Sequence, residues 1–229
     1  MSPQSTNHVL LIKPVEFYSN EQTIETNHYQ NTNNNKPRSE ILNEALVEFD
    51  QFEENLLDHG IRVTTFLGQK GCPDNIFPNW AVTFDDQSMH IFSMLGKNRR
   101  LEKSENHIQD LNRTYKTTLD YSEYEKKSQF LEGTSSLVLD RVNRVAYMGI
   151  SPRSDEELAK KWASEHDYQL FAFETQSHTG KPIYHSDVMM YIGTELAVIC
   201  TEAIKTGANN VINQLSKTHE ILEISSDQL

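Results

Sequence analysis

Three stretches of this chain repeat one order of events at a near-constant spacing. Phe77, Pro78 and Asn79 lead into an apolar run at residues 80–84, a polar turn at 85–88 and a second run at 89–94. Phe130, Leu131, Glu132, Gly133 and Thr134 lead into 135–139, a polar turn at 140–144 and 145–150. Ile183, Tyr184, His185, Ser186 and Asp187 lead into 188–192, a break at Gly193, Thr194 and Glu195, and 196–200. Short β-favouring runs flanking turn residues read as hairpins. The steps from Phe77 to Glu132 and from Glu132 to His185 are each about 55 residues, the mark of an internal structural repeat.

The segments between the hairpins repeat as well. Ile41, Leu42, Ala45, Leu46, Phe49, Phe52, Leu56 and Leu57 recur at helical spacing after Ser39, which reads as an N-cap; Gly60 ends the helix and residues 61–66 follow as a strand. A polar helix is expected over 101–115 with a strand at 117–119. Ser154 with Glu157 reads as a capping box for a helix through Trp162, followed by a strand at 168–173. A helix near 211–215 and a strand at 221–224 complete the last unit. Hairpin, helix and strand are thus written three times, whereas the first unit has a single strand, 9–12, in place of a hairpin. The Asn-rich segment 20–35 has few apolar residues and reads as a surface loop.

At 229 residues, the chain can bury a substantial core. With 21 basic and 33 acidic residues its net charge is −12, which disfavours duplex nucleic acid and anionic membrane as partners. No apolar run approaches the roughly 18 residues of a membrane span, and the start of the chain lacks a signal-peptide core. A cytoplasmic location is expected. The two cysteines, Cys72 and Cys200, form no metal-ligand cluster and no disulfide framework, so neither metal nor cofactor is expected.

In a radial repeat, equivalent positions of successive units converge on the axis. Glu132 and His185 are equivalent by spacing, as are Asn79, Thr134 and Asp187, each two residues further along. Two carboxylates and an imidazole gathered in one pocket can hold a planar cationic or ureido group while the imidazole moves a proton. Taken singly, Glu132 reads rather as a backbone-satisfying loop residue and His185 as a hydrogen-bonded histidine at a hairpin mouth; their equivalent positions favour the shared pocket. Trp80 and Trp162 read as core residues, and Asp140 and Asp155 as turn and helix-start residues.

The run Phe77, Pro78, Asn79, Trp80, the run Gly96, Lys97, Asn98, Arg99, Arg100, the Glu132 motif, and Tyr184 through Met190 together resemble the guanidino-group-modifying, pentein-fold enzymes. The similarity is to their arginine-deiminase-related, citrulline-utilisation hydrolase branch. It implies an α/β fold, a five-unit αβ propeller of hairpin-helix-strand units, in a single pentein-like domain over residues 1–229. It also implies hydrolysis of a guanidino or ureido C–N bond of a small amino acid, arginine or citrulline. A cysteine thiolate would attack the central carbon, with His185 shuttling protons and Glu132 and Asp187 holding substrate nitrogens. Asn79 falls near an early substrate-contacting position, although this chain has one asparagine where that branch has two before the tryptophan. Arg99 or Arg100 stands where a substrate carboxylate could be held, or forms an exposed basic pair beginning a helix.

The resemblance also implies a catalytic cysteine within the last unit, and this chain ends before it. The expectation is therefore a C-terminally shortened chain with its fifth unit incomplete, its bare first strand inviting a second copy to form a homo-oligomer. Cys200 reads as a small buried residue and Cys72 as a loop residue with little to activate it. The alternatives are a non-catalytic binding protein for the same ligands, or a scaffold that binds none.

Overall fold

In the computed structural model, which describes residues 4–30 and 35–229, the repeat appears as four separate sheets. The first pairs β1 (His8–Lys13) in parallel with β2 (Arg62–Leu67) across the helix α1 (Arg38–Asp58). The second joins β3 (Ala81–Thr83), β4 (Ser88–Ile91) and β5 (Thr117–Asp120), with α2 (Lys97–Arg100) and α3 (Glu105–Leu111) between the last two. Next come α4 (Gly133–Ser136), β6 (Val138–Asp140), β7 (Val145–Ile150), α5 (Glu156–Glu165) and β8 (Gln169–Thr175). The last sheet contains β9 (Met190–Ile192), β10 (Leu196–Ile199) and, after α6 (Ala208–Leu215), β12 (Glu220–Glu223); β11 (Ile204–Thr206) lies before α6 and adds to β8.

One topology recurs in the last three units. The hairpin strands β3/β4, β6/β7 and β9/β10 are antiparallel, and the second of each pairs in parallel with the strand after the helix: β4 with β5, β7 with β8, β10 with β12. Parallel neighbours need a crossover of a dozen or so residues, which the helices supply. The hairpin turns use local polar chemistry. Asp86 accepts from the Ser88 amide at 2.9 Å and Asp140 from the Asn143 amide at 2.8 Å, which confirms Asp140 as a turn residue. The first sheet has only β1 and β2, as the lone strand at 9–12 implied.

Several local expectations are corrected. The first helix starts one residue ahead of Ser39, because the Pro37 carbonyl already accepts from the Glu40 and Ile41 amides and no side chain caps it. Its apolar residues are unevenly covered: Ala45 and Phe49 are buried, while Val47, Phe52 and Leu57 are exposed. Of the helix expected over 101–115 only α3 forms: α2 ends before it at Arg100, and the Ser104 hydroxyl caps a fresh start at 3.1 Å from the His107 amide. Asp155, not Ser154, caps α5, accepting from the Leu158 amide at 2.8 Å; the Ser154 hydroxyl turns inward to Ser136. Residues 135 and 136 belong to α4 rather than to a strand, and a single 3₁₀ turn, Ser186–Val188, precedes β9.

Trp80 and Trp162 are fully buried, as expected of core residues. Trp162 anchors a cluster with Phe92, Leu131, Leu137, Met148 and Leu158 between the second and third units. The segment 20–35 departs from a plain surface loop: Asn20 and Thr23 are buried against the cleft described below, and residues 31–34 lie outside the described residues. At the chain's start, the Gln4 amide donates to the Leu139 and Ile192 carbonyls at 2.9 and 3.0 Å and accepts from the Arg141 amide at 2.8 Å. Among the described residues no helix is long and apolar enough to cross a membrane, and no group of three or more His, Cys, Asp or Glu is placed to hold a metal ion.

Candidate active site

The strand mouths of the repeat open onto a cleft of about 440 Å³ lined by Asp74, Asn79, Arg99, Arg153, His185 and Asp187, with Ile76, Phe77, Pro78, Tyr184 and Val188 as its apolar wall. Asn79, Thr134 and Asp187, equivalent by spacing, all reach this cleft. The repeat therefore brings together residues more than a hundred positions apart.

Glu132 and His185 meet directly. His185 Nε2 stands 2.7 Å from Glu132 Oε2, both side chains being buried. Glu132 Oε1 accepts from the Leu95 amide at 2.9 Å, and the Arg153 guanidinium stands 3.6 Å from Oε2. Burial alone would raise the Glu132 carboxyl, but the hydrogen bond and charge of His185, with Arg153 and Arg99 behind, bring it down to about 2. An ionised carboxylate only accepts, so Nε2 carries the proton and Nδ1 is left as the basic nitrogen. Each Glu132 oxygen is thus engaged by a protein group, and the carboxylate lies directly against the imidazole edge.

Glu132 reaches that position because α4 begins on a glycine. Gly133 has φ +51°, and a Cβ there would stand 2.4 Å from the Asn79 carbonyl oxygen, so only glycine lets the two strand mouths touch. Gly133→Ala is expected to cost about 1–2 kcal/mol for the left-handed backbone alone and to push Asn79 out of the cleft wall. Thermal melting together with loss of ligand binding checks it; an unchanged melt would show the contact to be soft. A buried hydroxyl relay holds the same loops. The Glu132 amide donates to Ser136 Oγ at 2.9 Å, Ser136 Oγ to the Arg153 carbonyl at 2.9 Å, and Ser186 Oγ to the Ser136 carbonyl at 2.6 Å.

Asp187 sits at the mouth, open to water, where it accepts from Ser135 Oγ at 2.7 Å. Desolvation where the side chain meets the cleft wall raises its carboxyl from the ordinary value, with His185 and the Ser135 hydroxyl opposing. Arg99 is not the outer half of an exposed basic pair: it is buried, donating to the Phe77 carbonyl and to Glu102. Arg100 is the half-exposed member and pairs with Glu125 at 3.5 Å.

Sequence reasoning passed over Arg153 and Asp74. Arg153 stands at the mouth of β7, a position the strand-mouth rule already marks for attention. It donates to the Thr26 hydroxyl at 2.7 and 2.9 Å and to the Thr23 carbonyl at 3.1 Å, and its guanidinium lies 4.7 Å over the Tyr184 ring. Asp74 accepts from Asn20 at 2.7 Å. Neither cysteine lines the cleft. Cys72 is buried and donates to the Asn98 carbonyl at 3.2 Å, and burial among Glu102 and Glu16 raises its thiol to about 11; Cys200 is buried in the last unit's core.

No curated protein matches the chain. Solved structures do. It superposes on the N-terminal domain of ArgZ, a cyanobacterial arginine dihydrolase of the ornithine-ammonia cycle, in a Cys→Ser variant bound to substrate, with TM-score 0.70, 16% identity, and coverage of 94% of this chain and 75% of that one. AgrE, in a Cys→Ala variant with L-arginine, gives TM-score 0.75 at 18% identity, covering 96% of this chain and 31% of that one. A Cys→Ser variant of the dimethylarginine dimethylhydrolase of Pseudomonas aeruginosa, complexed with citrulline, gives 0.61 at 12% identity over 100% and 94%. At these identities the superpositions establish the mixed α/β, pentein-type fold. The family model for eukaryotic N,N dimethylarginine dimethylhydrolase matches residues 13–229, and the chain belongs to that guanidino-modifying family.

Proposed function

We propose that this cleft takes a small amino acid bearing a guanidino or ureido group, arginine or citrulline, and carries the proton-transfer half of a hydrolase acting on its C–N bond. The observation that carries the reading is the Glu132–His185 contact at 2.7 Å inside a cleft lined with both cations and carboxylates. Glu132 fixes the imidazole tautomer, and His185 Nδ1 takes and returns the proton as the leaving amine departs. Asp187, at the mouth, pairs with the planar guanidino or ureido nitrogens, and Asn79 completes that wall. Arg99 receives the substrate carboxylate from the other side, with Arg153 beside it, and Asp74 suits an α-ammonium group. The reading includes a propeller-like arrangement of the sheets within one domain, in a cytoplasmic protein.

Cysteine-dependent chemistry needs a thiolate within reach of His185, and neither Cys72 nor Cys200 lines the cleft. That observation favours a second reading, in which this chain by itself binds the same ligands without turning them over. Calorimetry with L-arginine, L-citrulline and N,N-dimethylarginine, alongside assays for ammonia and amine release, separates the two. Turnover abolished by His185→Ala supports the hydrolase. Saturable binding without turnover supports the binding reading, and silence in both measurements overturns the assignment of the cleft.

A further inference from the structure

We infer that Glu102, a residue outside the cleft, is a positioning residue that holds the Arg99 guanidinium in the one orientation that leaves Nη1 for a substrate carboxylate. The inference rests on the proposed reading of the cleft and adds to it a residue that never touches the ligand.

Glu102 lies in the short link between α2 and α3 and is completely buried. Its cation is Arg99, three residues before it: Nη2 donates to Oε2 at 3.1 Å, and Nε stands 2.8 Å from Oε1. A buried carboxylate is costly to desolvate, and a well-packed apolar pair commonly does as well or better for stability. Burial accordingly pushes the Glu102 carboxyl upward, and the Arg99 guanidinium beside it pulls the other way and keeps the pair charged.

What the pair supplies is orientation. Nη2 donates to both Glu102 Oε2 and the Phe77 carbonyl, while Nε, 2.8 Å from Oε1, makes no aligned hydrogen bond; the two Nη2 bonds and the ion pair hold the planar guanidinium. Nη1 takes part in neither Nη2 bond. Its nearest acid is Asp74, 3.9 Å away, and among the described residues nothing accepts a hydrogen bond from it. Asp74 in turn is turned toward Asn20 at 2.7 Å and Thr23 at 3.4 Å, so it does not capture Arg99. Both Arg99 and Asp74 line the cleft. Freed from Glu102, the guanidinium is drawn into a closed ion pair with Asp74, and the carboxylate subsite is lost.

The test compares two probes that share the guanidino group, L-arginine and its decarboxylated analogue agmatine, by calorimetry on the full chain. The ratio of their affinities reports the carboxylate subsite and is insensitive to the fraction of protein folded. Wild type is expected to favour L-arginine. Glu102→Gln should cut that preference by about tenfold or more while leaving agmatine binding in place, and Arg99→Ala should abolish it. Should Glu102→Gln fail to fold, Glu102→Asp, which keeps the charge but draws it back by one methylene, gives the same readout. An unchanged ratio in the folded variant overturns the role of Glu102 and leaves the cleft reading intact. If wild type binds neither probe, the cleft reading fails, and the role of Glu102 fails with it.

Discussion

Glu132→Ala is expected to cost about 3–5 kcal/mol, the range for stripping one partner from a buried ion pair. For a chain of this size that corresponds to a fall in melting temperature of roughly 10 °C. Two donors lose their acceptor at once, His185 Nε2 at 2.7 Å and the Leu95 amide at 2.9 Å, and the Arg153 guanidinium at 3.6 Å loses its counter-charge. His185 and Arg153 are both buried, so little solvent is at hand to replace the lost partner. Thermal melts followed by circular dichroism check the size of the loss. A double-mutant cycle with Arg153→Met tests its cause, because removing the stranded cation as well should recover part of it. A melt within a degree or two of wild type would mean that these groups find other partners, and that the site is far looser than its distances indicate.

Stability should also fall steeply with acid well before the carboxylates titrate, by about 3 kcal/mol as pH drops from 6.5 to 4. The source is His90. It is buried, its Nδ1 accepts from the Trp162 indole at 3.0 Å, and its ring centroid lies 4.2 Å from that of the tilted His166 ring. Burial first, and then the charge of His166, bring it from 6.5 to about 4; Asp86 opposes and Arg141 adds to the shift. The sign follows from proton counting. Between pH 6.5 and 4 the unfolded chain holds a proton on this residue that the folded chain refuses, so protonation favours unfolding across that window and adds nothing further below it. His90→Gln, which keeps an acceptor for Trp162, should flatten this part of the acid limb in denaturant titrations at stepped pH. An acid limb of the same slope in the variant would place the effect elsewhere.

The repeat was legible in the sequence because hairpin turns and strand runs are local, and an equal interval forces equivalent residues to one end of their strands. That logic brought Asn79, Thr134, His185 and Asp187 to one cleft and set Glu132 beside His185. What it could not give was direction. Whether Glu132 faces a ligand or lies beneath the imidazole depends on Arg153 and the Leu95 amide, neither of which the interval relates to it. Arg99 misled for a similar reason: two adjacent arginines at a helix start look solvated unless the acid at position 102 is known to fold back beneath one of them. Buried hydroxyls account for the misplaced ends of elements. Ser136 and Ser154 bond to each other at 2.9 Å, so the first starts a helical turn and the second gives up its capping role to Asp155. Segment 20–35 was misjudged on composition, since the polar side chains of Asn20 and Thr23 pack against polar groups of the cleft rather than against water.

One glutamine side chain, that of Gln4, ties the beginning of the described chain to carbonyls 135 and 188 residues downstream. Contacts spanning so much sequence close the largest loops in the molecule, and their entropic cost is met only after the intervening modules have formed. As the polypeptide is made, the segment ahead of the first strand must therefore wait for the fourth unit before it can dock, and until then that β edge stays open to other strands.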